Sequence, residues 1–151
     1  MTLLKKALLL LFFILFIGIQ FYAPYKILKP TSTSLDYDII LNNQPPTEVS
    51  TLLKTACYDC HSYESKTYWY SEIAPVSWLV KKHIIAGREA LNFSEWELYS
   101  FSKKLDLSGK IMFEVYDGKM PLQEYLRMHP TANLSKKQQN KITQWINSLV
   151  E

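Results

Sequence analysis

The 151-residue chain has only two cysteines, four glycines and three histidines. Each scarcity excludes something. Four scattered glycines form no glycine-rich phosphate loop. A structural zinc site takes four ligands, usually as two close pairs. Two cysteines with His61, His83 and His129 provide no second close pair. Charge of one sign is also short. There are 17 basic and 14 acidic residues, a formal charge of +3. Lys5 and Lys6 lie ahead of the apolar N-terminal run, so the rest is close to neutral. No basic run exceeds a pair, which leaves nucleic-acid binding without support. No Ser-His-Asp set can be argued from spacing, and no carboxylate pair sits in an apolar stretch. No catalytic residues are expected, and an enzyme is not the leading reading. No strand pattern and no internal repeat are visible, so the expected fold class is all-α.

What is present begins with the cysteines themselves. Both fall in Cys57-Tyr58-Asp59-Cys60-His61. This is the C-x-x-C-H pattern of covalent c-type haem attachment. Two intervening residues separate the thiols by about one helical turn, which lets each reach one vinyl group of a haem. The next residue, His61, then offers an imidazole nitrogen to the iron. A thioredoxin-like redox pair would need a βαβ pattern, which is missing. A plain disulfide gives His61 no purpose. The expected cofactor is therefore one covalent haem c, held by Cys57 and Cys60 with His61 on iron.

The N-terminus carries the only long apolar run. Ala7 to Ile19 has no charge, and Lys5 and Lys6 precede it. A secretory signal and a membrane anchor both start this way. Cleavage wants small residues at −1 and −3. Ala23 has Phe21 at −3 and Pro24 after it; Gly18 has Phe16 at −3. An uncleaved anchor over residues 7–23 is the expectation, spanning about 25 Å as a helix, with a removed or retained signal as the alternative. Residues 1–6 then stay cytoplasmic by the positive-inside rule. The remainder lies in the periplasm or outside, as a single-pass protein of the inner membrane. Residues 24–44, with Pro30, Thr31 to Ser34 and Asn42 to Gln44, read as a linker that could hold the domain about 65 Å away when extended. Residues 45–151 read as the domain.

Within that domain, Thr47 is a possible cap for a helix with Val49, Leu52, Leu53 and Ala56 at helical spacing. From Pro75 a second helix places Val76, Leu79, Val80, His83, Ile84 and Gly87 on one face. Ser94 to Glu97 has a capping-box pattern and should start a helix with Trp96, Leu98 and Phe101 apolar. Asp106 to Gly109 should break the chain before a short helix that Gly118 terminates. Ser135 and Gln138 form another capping box, followed by Ile142, Trp145, Ile146 and Leu149.

Several separated segments resemble the bacterial haem-binding domain family, a set of small c-type cytochrome-like proteins. They are Ala56 to Ser62, Tyr68-Trp69-Tyr70-Ser71, Ile73 to Trp78, Gly87-Arg88-Glu89, Leu91 to Trp96 and Gly118-Lys119-Met120-Pro121-Leu122, in that order. The likeness runs from about Pro45 to the C-terminus. It implies a cytochrome c-like helical domain and haem binding, with Trp69, Tyr70, Pro75 and Trp78 as candidate haem-pocket residues. The aromatic residues read equally well as ordinary core. In cytochromes c the iron-ligating histidine donates to a proline carbonyl downstream, which would place the Pro75 region behind His61.

The sixth iron ligand decides the function. Met120 is the first candidate, because Pro121 fixes the backbone after it and a thioether carries no charge. The alternatives are His83, His129 or an open position. Met112 falls inside a helix, and Met128 lacks a following proline. His/Met ligation fills both axial positions and suits electron transfer. It would make the protein a membrane-anchored electron carrier with an unidentified redox partner. An open sixth position would suit a haem-based sensor or a peroxidase-like protein instead.

Overall fold

The computed structural model describes residues 3–27 and 36–151. Among them are eight α-helices, three 3-10 segments and no strand, so the all-α expectation holds. Helix α1 (Leu3–Gln20) has no buried residue. Its mean hydropathy is 2.1, which is long and apolar enough to cross a membrane. It stops at Gln20, three residues short of the expected Ala23. Pro30 and Thr31 to Ser34, the centre of the expected linker, lie outside the described residues.

The last part of that expected linker is core. Helix α2 (Ile39–Asn43) is capped by Asp38, whose Oδ1 accepts from the amides of Ile40 at 2.9 Å and Leu41 at 3.3 Å. Ile39 is fully buried and Asp38 almost so. The Tyr58 hydroxyl donates to both Asp38 oxygens, at 3.0 and 3.1 Å. This satisfies a carboxylate that burial would otherwise penalise. The apolar character of residues 35–41 points to contact with the domain, but a helix of five residues is too short to show a period.

Helix α3 (Thr47–Ala56) buries Val49, Leu52, Leu53 and Ala56, the four residues its spacing singled out. Pro46, not Thr47, is its N-cap. Cys57 closes α3, and helix α4 (Tyr58–His61) restarts from it. A 3-10 segment (Trp69–Glu72) leads to helix α5 (Val76–Ala90). Here the expected face is rotated. Ser77, Ile84 and Gly87 are buried, while Val76 and Leu79 are 46% and 49% exposed. The neighbouring element is the α4 turn, and only a residue without a Cβ fits against it.

The Ser94 to Glu97 capping box does not start an α-helix. Phe93–Leu98 is a 3-10 segment, capped by the Asn92 side chain on the Ser94 amide. Trp96 is fully buried there, but Leu98 and Phe101 are exposed. Helix α6 (Phe101–Tyr116) starts from a Ser100 cap and runs unbroken through Gly109. Leu107, Ile111 and Val115 repeat at four-residue spacing on its buried side. Their packing outweighs the glycine's intrinsic cost of about 1 kcal/mol. Gly118 follows with φ of 70°, the left-handed end that the sequence called for.

Helix α7 (Gln123–Met128) and a 3-10 turn (Pro130–Ala132) precede helix α8 (Lys136–Ser148). The Ser135–Gln138 capping box is formed. Ile142 and Ile146 are fully buried, each contributing roughly 1.5–3 kcal/mol of burial. Helix α8 packs on both α3 and α6, so the last helix is joined to the one that leads into Cys57.

Candidate functional site

The two cysteines sit at the ends of one helical turn. Cys57 donates its amide to the Leu53 carbonyl at 2.9 Å, and its own carbonyl accepts from Cys60 at 3.2 Å and His61 at 2.9 Å. The turn therefore continues the α3 bonding pattern and fixes the relative position of both thiols. Neither is in a disulfide. Burial pushes the Cys57 thiol up to about 12, with the adjacent Cys60 adding to it. Burial also raises Cys60 to about 11, assisted by Asp59 and opposed by Arg88. Both are neutral thiols near pH 7, the opposite of an activated redox pair.

His61 is oriented by backbone. Its Nδ1 lies 3.1 Å from the Leu91 carbonyl, 30 residues downstream. A carbonyl only accepts, so Nδ1 carries the proton and Nε2 presents a lone pair. Burial holds the His61 pKa below its ordinary value, against the opposing effect of the Leu91 and Gly87 carbonyls. Phe93 meets the imidazole edge-on at 6.3 Å and stacks on Tyr58 at 5.7 Å. The expected acceptor near Pro75 is corrected: Leu91 takes that place, because the C-terminal end of α5 lies against the turn. A backbone carbonyl has no side-chain signature, so sequence could not single out Leu91.

Gly87 makes that approach possible. A Cβ built on it would meet the Cys60 carbonyl oxygen at 2.6 Å. One residue on, the Arg88 Nε donates to the Ser62 carbonyl at 2.7 Å and Nη2 to Ser65 Oγ at 3.0 Å. Its guanidinium lies 5.1 Å from the Tyr63 ring centre. Helix α5 thus grips the chain on both sides of His61.

Asp59, inside the motif, is buried and collects donors. Its Oδ2 accepts from the hydroxyls of Tyr68 and Tyr125, both at 2.7 Å. Its Oδ1 accepts from the Lys66 amide at 3.0 Å. Tyr125 stacks on His129 at 4.3 Å, and the Tyr70 hydroxyl is hydrogen-bonded to His129 Nε2. A single carboxylate thereby joins the motif to the loop before α5 and to α7. The sequence signal for it was its place between the cysteines.

The other candidates are dispersed. Tyr70 is half-buried and committed to His129. Trp69 is 75% exposed and touches Tyr70 edge-on. Trp78 donates its indole N–H to the Tyr22 carbonyl at 2.9 Å, facing the N-terminal segment. Pro75 is exposed. His83 is half-buried one turn before Gly87, on the same side of α5. Met120 is half-buried, packs against the core that Cys57 also touches, and donates its amide to the Glu114 carbonyl at 3.1 Å. Among the described residues, no group of three or more His, Cys, Asp or Glu is placed to hold a metal ion.

The donor set fits a haem: two thiols at the ends of one fixed turn, followed by an imidazole whose Nε2 carries the lone pair. A comparison with family models decides the class. The haem-binding domain model matches residues 14–148. The chain belongs to the haem-binding domain family. The match supports a haem cofactor, and it extends well before Pro45, into α1, beyond the stretch over which the resemblance runs. No curated protein and no solved structure matches the chain.

Proposed function

We propose that this haem-binding protein is a membrane-anchored monohaem cytochrome of c type that carries electrons on the extracytoplasmic side. The observation that carries the reading is the His61 environment. Leu91 fixes the tautomer with Nε2 unprotonated, directly after two thiols on one turn. Cys57 and Cys60 would hold haem by thioethers, and His61 would ligate iron. Bound haem supplies an iron that changes charge by one without bonding a substrate. The chain's own part is positional. The α4 turn sets the thiols, Leu91 and Phe93 set the imidazole, and Gly87 lets α5 close over Cys60. Met120 is the proposed ligand on the other face. Lys5 and Lys6 at the N-terminal end of α1, ahead of its uncharged run, support an outward-facing domain.

The test is a haem-peroxidase stain of a denaturing gel, using full-length chain made with haem-maturation machinery. A stained band that disappears in Cys57→Ala plus Cys60→Ala is expected. A wild-type chain that loses its haem on the gel would overturn covalent attachment. A high-spin wild type that binds carbon monoxide readily would favour the sensor or peroxidase-like reading.

A further inference from the structure

The Gln20 side chain, the one polar group in the apolar run, closes a two-point clasp on the haem domain. Its Oε1 accepts from the Ala74 amide at 2.9 Å, and its Nε2 donates to the Ala74 carbonyl at 3.2 Å. Two residues on, the Tyr22 carbonyl accepts the Trp78 indole N–H at 2.9 Å, and the two rings meet edge-on at 5.5 Å. Tyr25, Lys26 and Ile27 then line a cleft with Val80, Ile84 and Arg88. The domain is docked on the end of α1 and does not hang from it.

This placement has a consequence for the surface around Ala74. Trp69 is 75% exposed, Ile73 41%, Val76 46% and Leu79 49%. Phe21 and Tyr22 are exposed as well. Val76 and Leu79 lie three apart on one side of α5. Ile73 and Val76 flank Ala74 within two residues, so their backbones lie within about 7 Å of it. The interfacial layer of a bilayer is about 5–7 Å deep on each side. Lys5 and Lys6, near its first turn, can extend their ammonium groups back to the cytoplasmic boundary, so the full rise of α1, about 27 Å at 1.5 Å per residue, is close to the hydrocarbon thickness and its clasped end falls in the opposite interfacial layer. Tryptophan and tyrosine favour such a layer.

We infer that the haem domain is seated on the lipid surface through Trp69, Ile73, Val76 and Leu79, with the Gln20–Ala74 clasp fixing its orientation. This rests on α1 being a membrane anchor. The occupant of the apolar patch is the headgroup–acyl boundary of the bilayer in which α1 is embedded. Seated in this way, the domain cannot range over the distance that an extended linker would allow.

The test uses the full haem-loaded chain in phosphatidylcholine nanodiscs that include a lipid with a diazirine near the top of its acyl chain. After irradiation, lipid adducts are mapped by mass spectrometry. Adducts in α1 and in the 69–79 segment are expected. Gln20→Ala should lower the yield in 69–79 several-fold and leave that in α1 unchanged. Val76→Asp should do the same without touching the clasp. Adducts confined to α1 overturn the inference while the anchor stands. A chain without adducts in α1 overturns both together.

Discussion

Gly87 and Cys60 touch through backbone: a methyl group on Gly87 would stand 2.6 Å from the Cys60 carbonyl oxygen and 3.2 Å from its Cβ. The nearest atom belongs to the main chain of the α4 turn, so no flexible side chain can swing aside. Gly87→Ala should push α5 from the turn and cost about 1–3 kcal/mol, as overpacking does. It should also displace Leu91, and with it the His61 imidazole. Gly109→Ala is the contrasting substitution. That glycine has nothing within 4 Å of its virtual Cβ and lies inside α6. It should stabilise the protein by up to about 1 kcal/mol. Urea unfolding of the two variants checks both signs.

The Asp59 carboxylate is the next point of weakness. Three donors converge on it: Tyr68, Tyr125 and the Lys66 amide. Asp59→Ala would strand them in a partly buried setting, at about 1–3 kcal/mol for each donor that water cannot reach. A total loss near 3 kcal/mol is expected. Tyr125→Phe removes one donor and leaves the other two in place, so about 1 kcal/mol is expected. Equal losses in the two variants would show that Asp59 is not the junction.

The same network predicts the alkaline limit of the fold. Burial raises the pKa of Tyr68 to about 12, with the hydrogen bond and charge of Asp59 adding to it. Burial, then the Asp38 charge, raises Tyr58 further, and burial with Asp59 does so for Tyr125. These phenols are neutral in the folded state beyond the ordinary tyrosine value of about 10. Their contribution to stability is intact below pH 10 and is lost as pH rises through about 12. Of ten tyrosines, at least three should ionise only together with loss of helix, read by absorbance at 295 nm and far-UV circular dichroism. Ionisation of all ten near pH 10 with helix intact would contradict it.

Acid should weaken the bond set of Glu97. Burial alone would raise its pKa, but the hydrogen bonds from Lys104 and Asn43 and the charge of Lys104 together outweigh it and hold the carboxyl below its ordinary value. Stability from a depressed carboxyl is present above its unfolded value of about 4.3 and fades as pH falls through the folded value. Wild type should therefore lose its lead over Glu97→Gln as pH falls below the unfolded value. A difference that stays constant through acidification until the protein unfolds, measured by urea unfolding, would refute it.

The legible parts of the sequence were those in which side chains face their own kind. Val49, Leu52, Leu53 and Ala56 on α3 and Ile142 and Ile146 on α8 follow a clear period because each packs against an apolar partner. The Ser135–Gln138 box and Gly118 were legible because their geometry is local. The motif at Cys57 to His61 pointed to haem, the cofactor that the family match supports. What surrounds it was not legible, since it is made of main chain and polar pairs. Leu91 contributes a carbonyl, Gly87 an absence of side chain, and Asp59 an acceptor for residues far along the chain. The α5 face was misread for the same reason. Its inward side is defined by Gly87 against backbone, while the apolar Val76 and Leu79 lie on the outside. Gln20 read as an interruption of an apolar run, and its partner Ala74 is 54 residues away.

The sixth ligand separates the two functions that haem could serve here. Three methionines follow the motif. Met112 is inside α6, Met128 is half-exposed near the end of α7, and Met120 lies between α6 and α7, packed on the core that Cys57 also touches. The left-handed Gly118 ends the approach to Met120, and the Lys119 and Met120 amides both donate to the Glu114 carbonyl. The thioether is thus carried on a short, bonded loop, suited to holding one position. His83 competes from α5, one turn before the glycine that touches Cys60. With Met120 on iron, the haem-loaded protein should be low-spin in both oxidation states and show weak far-red absorption in the oxidised form. Met120→Ala should remove that band, lower the reduction potential and let carbon monoxide bind, since the thioether raises the potential and closes the site. His83→Ala should leave the band unchanged. Should His83→Ala be the change that produces high-spin iron, ligation is through two histidines. A wild type that is already high-spin would move the protein from electron carrier to a haem with a reactive face.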